Sequence, residues 1–435
     1  MITNIEKNFI GWGKRVSYTI LDQGFFSGSN FIVSLLLARY IDASAYGVFS
    51  ITYSIFLFIS GIYNSLVLEP INVLGPKNHD NDLLLYKKQS IKLHFLVTGL
   101  LTILGLICTL IFWLTKVQSI YIEISLVISF SFPFILFFWL ARQCAYLETK
   151  PRVAFYGSVI YAMIYIGFFL VLVFTSKIQV GYIFVDMALA STVSGLIVFS
   201  QIGVRWSTNS IIQRFRFPTI IKENWLFGRW ILFSSLAYGI SSLIYSPLIG
   251  FVLGVEQAGI FRGMQNFFQP FTQVVTGLSL LITPYLSRKR FTSSEREFKT
   301  HTFFLIGLSL LLAIVYSGIV LLFASPVINA VYNNSIYDQN IWIIPYLGIS
   351  TIFAALDSAL GVFYRVKEKT FIVFYGKIAG AIAVLVISLP MVEVYKMRGA
   401  LVGLNISLAI EAAALILFGN LIKKPDKSIS INGYQ

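Results

Sequence analysis

Charge is what this chain has least of. Charged residues fill 12% of its 435 positions, and only 19 of them are acidic. A soluble domain carries about 25% charged residues, so half the charge needed to coat a water-facing surface is missing. Cysteine is scarcer still. Cys108 and Cys144 stand alone in apolar runs, which excludes a disulfide framework and reads both as packing residues. The three histidines, His79, His94 and His301, show no metal-ligand spacing, so no metal site is expected. Phosphate-binding loops are also missing. Gly11-x-Gly13 lacks a third glycine, and Gly376-Lys377 follows Phe371 where a nucleotide loop needs glycine. Asp80-Asn81-Asp82 resembles a metal-dependent glycosyltransferase pattern but sits in a loop too short for a nucleotide-sugar site, and a solvated turn explains it better. No cofactor and no catalytic residue follow, so an enzyme is not expected.

What the chain has instead is apolar length. Hydrophobic residues make up 57% of it, and its mean hydropathy is +0.79. A helix needs roughly 20 apolar residues to cross a bilayer. Twelve runs reach that length: 17–38, 46–68, 93–115, 120–140, 153–175, 179–203, 230–253, 261–285, 302–324, 341–362, 371–391 and 399–420. The first carries Asp22 and has no small-residue cleavage site, so it is not a cleavable signal. The expected fold class is an all-α polytopic membrane protein with about 12 transmembrane helices.

The basic residues orient the bundle. With the N-terminus in the cytoplasm, 26 of the 33 fall on cytoplasmic segments, six outside (Arg39, Lys116, Lys177, Arg262, Lys396 and Arg398), and Lys377 lies within a span. Both termini are then cytoplasmic. The same asymmetry accounts for a net charge of +14 without any nucleic-acid partner.

An internal repeat divides the chain. In span 1 the polar residues Gln23, Ser27, Asn30 and Ser34 form one helical stripe; in span 7 Ser234, Tyr238, Ser241 and Tyr245 repeat it at a constant offset of 211 residues. Further on, Ala45-Tyr46-Gly47-Val48-Phe49 matches Ala258-Gly259-Ile260-Phe261, and Tyr53, Ser60 and Asn64 match Gln265, Thr272 and Thr276 at offset 212. Spans 1 and 7 run in the same direction, so the repeat is parallel, as in one class of secondary transporters. It predicts a six-helix lobe over 1–203, a cytoplasmic linker over 204–229, and a second six-helix lobe with a short tail over 230–435.

A charged side chain at a helix centre costs ~2.5–3.5 kcal/mol on insertion scales, so each intramembrane charge needs a reason. Asp22, Glu69, Asp357 and Glu411 are the candidates for ion coupling, with Asp357 and Lys377 placed to pair. Asp186 lies inside span 6, also short of its outer end. Arg142, Arg262 and Lys377 either snorkel to the interface or face a passage. The pairs Gly24–Gly28, Gly376–Gly380 and Gly399–Gly403 fit helix packing.

Several stretches resemble the polysaccharide flippases, the repeat-unit translocases of the multidrug/oligosaccharidyl-lipid/polysaccharide (MOP) exporter superfamily. They are Leu21-Asp22-Gln23-Gly24, Asn30-Phe31, Leu37-Ala38-Arg39-Tyr40, Tyr46-Gly47-Val48-Phe49, Leu68-Glu69-Pro70 and Tyr146-Leu147-Glu148-Thr149-Lys150-Pro151-Arg152. The resemblance is closest over residues 17–160. It implies two six-helix lobes around a central cavity in a cell's inner (plasma) membrane. It also implies a substrate of the undecaprenyl-pyrophosphate-linked oligosaccharide type, flipped to the outer leaflet with proton or sodium antiport, beside polymerase and chain-length partners. On that reading Gln23, Ser27, Asn30, Ser34, Asn64, Arg142, Tyr238, Tyr245, Arg262, Gln265, Gln269 and Lys377 lie along the substrate pathway. A drug/cation antiporter of the same superfamily and a membrane polysaccharide polymerase are the rival readings. The short outer loops argue against the polymerase.

Overall fold

The computed structural model describes residues 2–79, 82–204, 212–275, 294–332, 335–367 and 369–421, with positions 282, 286 and 290. Among them there is no strand. The long helices are α1 (Ile2–Tyr40), α2 (Ala43–Tyr63), α3 (Glu69–Asn78), α4 (Leu83–Leu114), α5 (Ser119–Leu147), α6 (Pro151–Phe174) and α7 (Val180–Gln201) in the first half. The second half has α8 (Ile212–Tyr238), α9 (Tyr245–Leu253), α10 (Val255–Asn266), α11 (Glu295–Tyr332), α12 (Ile344–Val366), α13 (Thr370–Ala383) and α14 (Leu389–Leu421).

Nine helical runs among the described residues are long and apolar enough to cross a bilayer, and α8 with α9 forms a tenth, bent by 47°. One of the nine, Thr370–Gly419, is 50 residues long. Straight, it would reach about 75 Å, far beyond a hydrocarbon core of roughly 30 Å. It is not straight: Lys396 has φ 55° and ψ −133°. The two limbs then run back along each other, with Gly399 against Met391, Gly403 against Ser388, Gly380 against Glu411 and Gly376 against Leu415. Each step back on one limb meets a step forward on the other, the signature of an antiparallel hairpin. Expected spans 11 and 12 are its two limbs. Expected span 8 begins in α10 and continues over 269–275, and the rest of it apart from position 282, with Thr276, Thr283 and Pro284, lies outside the described residues. So do Asp80 and Asn81, Arg288 and Lys289, and the basic tail from Lys423.

Two boundaries differ from the sequence reading. Span 2 does not stop at Pro70 but continues as α3 to Asn78. A proline in a helix lacks the N–H for its own bond, and here the preceding turn widens to accommodate it: Asn64–Leu68 is a π-turn in which the Glu69 N–H reaches the Asn64 carbonyl. The same device recurs at Gly239–Leu243 ahead of Pro247 and at Val384–Ser388 ahead of Pro390. Second, α4 starts at Leu83, ten residues before its expected span.

The first lobe closes its helices with one repeated turn. Lys116, Thr149 and Ser176 take φ of 54°, 56° and 54° just past α4, α5 and α6, and Gly203 takes 73° past α7. In each turn two backbone N–H groups bond back to the last carbonyls, as in Val117 to Phe112 at 3.0 Å and Lys150 to Ala145 at 2.9 Å. The second of these turns presents Glu148, whose carboxylate is bonded by Lys150 at 2.7 Å and by Lys87. Lys87 is 2% exposed and also donates to the Ile202 carbonyl at 3.1 Å, tying α4, α5 and α7 together. Burial pushes the Glu148 carboxyl up, but the bonds from Lys150 and Lys87 outweigh it and hold the group below the usual carboxylate range.

Replacing Glu148 with alanine strands a buried ammonium, a change that costs 3–5 kcal/mol for buried pairs. Because Glu148 keeps 15% of its side chain exposed, a loss of about 3 kcal/mol is expected, read as a lowered midpoint of thermal unfolding in detergent. Its depressed titration also fixes the sign with pH: the wild-type advantage over Glu148→Gln is full above the unfolded carboxyl value. It fades as pH falls through the lower folded one.

Candidate substrate passage and charge clusters

The basic loops define one face of the molecule, and the lobes meet differently at the two faces. On the face opposite the basic loops, backbone touches backbone. A side chain on Gly47 would overlap the Val255 carbonyl, and one on Gly259 would overlap that of Ala43. These are the two glycines of the repeated Ala-Tyr-Gly/Ala-Gly motif, so the repeat packs against its own copy. Around them Asn266 donates to Tyr46 at 2.8 Å and to Tyr332 at 3.2 Å, Ser34 lies 2.9 Å from the Tyr46 hydroxyl, and Arg39 donates to the Ala330 carbonyl at 3.1 Å. Ser34, Tyr46, Asn266 and Tyr332 are all buried.

Toward the basic face the lobes are joined, among the described residues, along a seam. There α2 and α3 run antiparallel to α8 and α9, through Ser50–Ser246 at 3.1 Å, Ser65–Ser235 at 2.8 Å, Asn224 to the Leu66 carbonyl at 3.1 Å and His79–Glu223 at 2.9 Å. On the other side of the interface, Gly24 and Gly28 of α1 have open space before them. They do not pack a helix as their spacing suggests. Between the lobes lies a cavity of ≈ 270 Å³, lined by Ser60, Gly61 and Asn64 of α2 and its π-turn, Trp139 of α5, and Ser235 and Tyr238 of α8. It is slightly smaller than the roughly 300–1,000 Å³ of drug-sized sites, and its polar groups are all uncharged.

Charge flanks this cavity in two clusters, one per lobe. In the first lobe Asp22 of α1 is fully buried. Arg142 of α5 donates to it through Nε at 3.2 and 3.3 Å and through Nη2 at 2.7 Å, and Tyr146 and Ser158 donate to it as well. The same guanidinium reaches Gln23 at 3.2 Å and stacks 4.2 Å from the Phe26 ring. Gln23 passes the chain on to Ser27 at 2.8 Å, and Asn30 accepts from Tyr161 at 3.1 Å. Asp22 is thus a locked carboxylate whose lone pairs are all engaged.

In the second lobe Lys377 of α13 bridges Asp357 of α12, at 2.8 Å, and Glu411 of α14. The ammonium lies 5.0 Å from the Tyr238 ring, which forms part of the cavity wall. Gly380 leaves the room that Glu411 occupies. Two carboxylates here share one cation.

A third charge stands apart. Arg262 of α10 lies 5.6 Å from the Tyr53 ring, across the interface from its own lobe, and is half-buried. Its guanidinium bonds neutral groups: Gln265 at 3.1 Å, Gln269 at 2.6 Å with the amide oriented by its hydrogen bonds, and the Tyr46 hydroxyl. Its Nε has no partner, and among the described residues no carboxylate pairs with it.

The remaining expected residues are placed elsewhere. Tyr245 is buried inside the second lobe, bonded to Ser388 and Ser407 at 2.9 Å each. Glu69 is half-buried beyond the π-turn and joins neither cluster. The reading of the sequence missed Tyr146 and Ser158, the hydroxyls that fix Asp22, and Ser235 and Trp139 in the cavity wall. They belong to helices distant in sequence, and no local pattern marks them.

No protein-family profile matches this sequence, and no curated protein aligns with it significantly. Solved structures do resemble it. An inward-facing multidrug-resistance MATE family transporter of the MOP superfamily superposes with a TM-score of 0.76 at 14% identity, covering 92% of this chain and 94% of that one. An outward-facing MATE family transporter gives 0.65 at 13% identity, covering 94% and 95%. A MOP superfamily transporter from Pyrococcus furiosus, described as having a binding pocket of reversed polarity, gives 0.62 at 14%, covering 95% and 92%. The chain therefore has the all-helical fold of these MATE family and MOP superfamily transporters.

Proposed function

We propose that the protein is a flippase that carries a lipid-diphosphate-linked oligosaccharide from the cytoplasmic to the outer leaflet of a plasma membrane, with its basic face and both termini in the cytoplasm. The observation that carries this reading is Arg262, a cation held at the lobe interface by neutral groups among the described residues. A passage for organic cations is poorly served by an uncompensated guanidinium. A diphosphate is well served by one, since charge-assisted and bidentate bonds to phosphate are the strongest that Arg makes. The uncharged wall of Ser60, Asn64, Ser235 and Tyr238, with Trp139, offers the hydroxyls, amides and aromatic faces that sugar rings need. Contact at the outer face and separation near α1 leave the passage open toward the basic face, where such a substrate is made.

Alternating access in this fold rocks one lobe on the other. The seam of α2 with α8 and α9 serves as the axis and the Tyr46–Asn266 contact as the outer gate. The cluster of Lys377, Asp357 and Glu411 serves as the ion site: with both acids ionised it holds one negative charge in excess, which a proton or sodium ion neutralises. That excess is also the one observation favouring a cation antiporter.

In liposomes bearing a fluorescent lipid-diphosphate oligosaccharide, Arg262→Gln is expected to slow outer-leaflet exposure about tenfold or more, the worth of one charged hydrogen bond. Arg262→Lys should retain an intermediate rate. Wild-type rates in Arg262→Gln, together with export of a cationic dye by the wild type, would favour the antiporter. For the ion site, Glu411→Gln is expected to remove the response to an imposed proton or sodium gradient while gradient-free exchange of the lipid persists. A full gradient response in that variant would exclude the role of Glu411.

A further inference from the structure

Among the described residues, the buried carboxylate with least support is neither Asp22 nor Glu411 but Asp186. It lies in α7, six residues or about 9 Å from the end nearest the outer face, and it is completely buried. Neither of its oxygens has a hydrogen-bond partner. An ionised carboxylate so placed, in a helix enclosed by apolar neighbours, is far less stable than its neutral acid.

Among the described residues, its surroundings supply no counter-charge. Tyr161 and Tyr165 of α6 lie within electrostatic reach of it, and Tyr53 of α2 stands beyond them. On α5 the charged and titratable groups are Tyr121 and Glu123 at the outer end, and Arg142, Cys144 and Tyr146 at the other. Arg142 is committed to Asp22. Arg152 and Tyr156 of α6 lie at its basic-face end and pair with each other. The remaining tyrosines of α2 are Tyr46 and Tyr63; Tyr46 is bonded at the outer gate and Tyr63 to His94.

A file of hydroxyls leads away from this group. Along α6, Ser158, Tyr161 and Tyr165 follow one another at helical spacing over about 10 Å. Ser158 donates to Asp22, Tyr161 bonds Asn30, and Tyr165 is nearest the level of Asp186. On α7 itself, Ser191 and Ser194 are buried with unpartnered hydroxyls on the side toward the basic face.

We infer that Asp186 is a proton-binding site of the first lobe, neutral in this conformation. It releases its proton to water on the outer side when the gate at Tyr46 and Asn266 parts, and recovers one through the hydroxyl file. Asp22, locked by Arg142, is then the fixed charge at the file's inner end, and Asp186 is the group that exchanges. This holds whatever cargo the passage carries.

Infrared spectroscopy of the full chain in lipid nanodiscs, titrated with pH, tests it without any substrate. The wild type is expected to show a protonated-carboxyl C=O band at neutral pH that Asp186→Asn abolishes, while Asp22→Asn and Glu411→Gln keep it. Asp186→Glu, a fallback should the asparagine variant fold poorly by gel filtration, should keep the band at a shifted frequency. A spectrum of Asp186→Asn identical to the wild type across the titration, or a glutamate variant whose band does not shift, would overturn the assignment.

Discussion

Hydrocarbon offers no hydrogen bonds, so every polar group carried into the membrane must find its partner inside the protein. That demand organises the structure from the backbone up. It makes every described segment helical, and it widens the helix to a π-turn ahead of Pro70, Pro247 and Pro390, where an ordinary turn would strand a carbonyl. It also sets the charges in groups. Asp22 is met by one guanidinium and two hydroxyls, Lys377 by two carboxylates, and Lys87 by Glu148 and a carbonyl. What the demand leaves unmet is correspondingly informative: among the described residues Arg262 has no anion, and both oxygens of Asp186 lack a hydrogen-bond partner.

The two lobes repeat in sequence and differ in chemistry. Span 1 is one unbroken helix, whereas its counterpart breaks through a π-turn and bends by 47°. The first lobe's cluster sets one guanidinium against one carboxylate, and the second lobe's sets one ammonium between two acids. The two halves thus differ in how they compensate a buried charge. The uncharged cavity lies between them, its wall shared by the π-turns of α2 and α8 at Asn64 and Leu243.

Much of this was legible in the residues alone. The hydropathy runs located the helices, and the polar stripe of Gln23, Ser27, Asn30 and Ser34 does lie on the inner side of α1. The pairing of Asp357 with Lys377 could be expected because neighbouring spans place them at the same depth. Arg142 with Asp22 could not: the two are 120 positions apart, and one-dimensional reading leaves Arg142 either to snorkel or to face a passage. Pro70 misled because proline is a stop signal unless a π-turn precedes it, and a π-turn has no sequence signature as firm as proline's own. Tyr245 shares its stripe's register with Tyr238, but the bend at Ile244 turns it into the lobe. Lys87 looked like a loop residue because the apolar run starts later than the helix does.

The glycine contact on the face opposite the basic loops has a mechanical consequence. Because Gly47 and Gly259 bring two backbones together at that end of the molecule, no side chain stands between them. A β-carbon on either residue would overlap a carbonyl of the other half, so any larger residue props that end apart. If one lobe rocks on the other, the smallest side chains in the protein then decide how tightly that end can close.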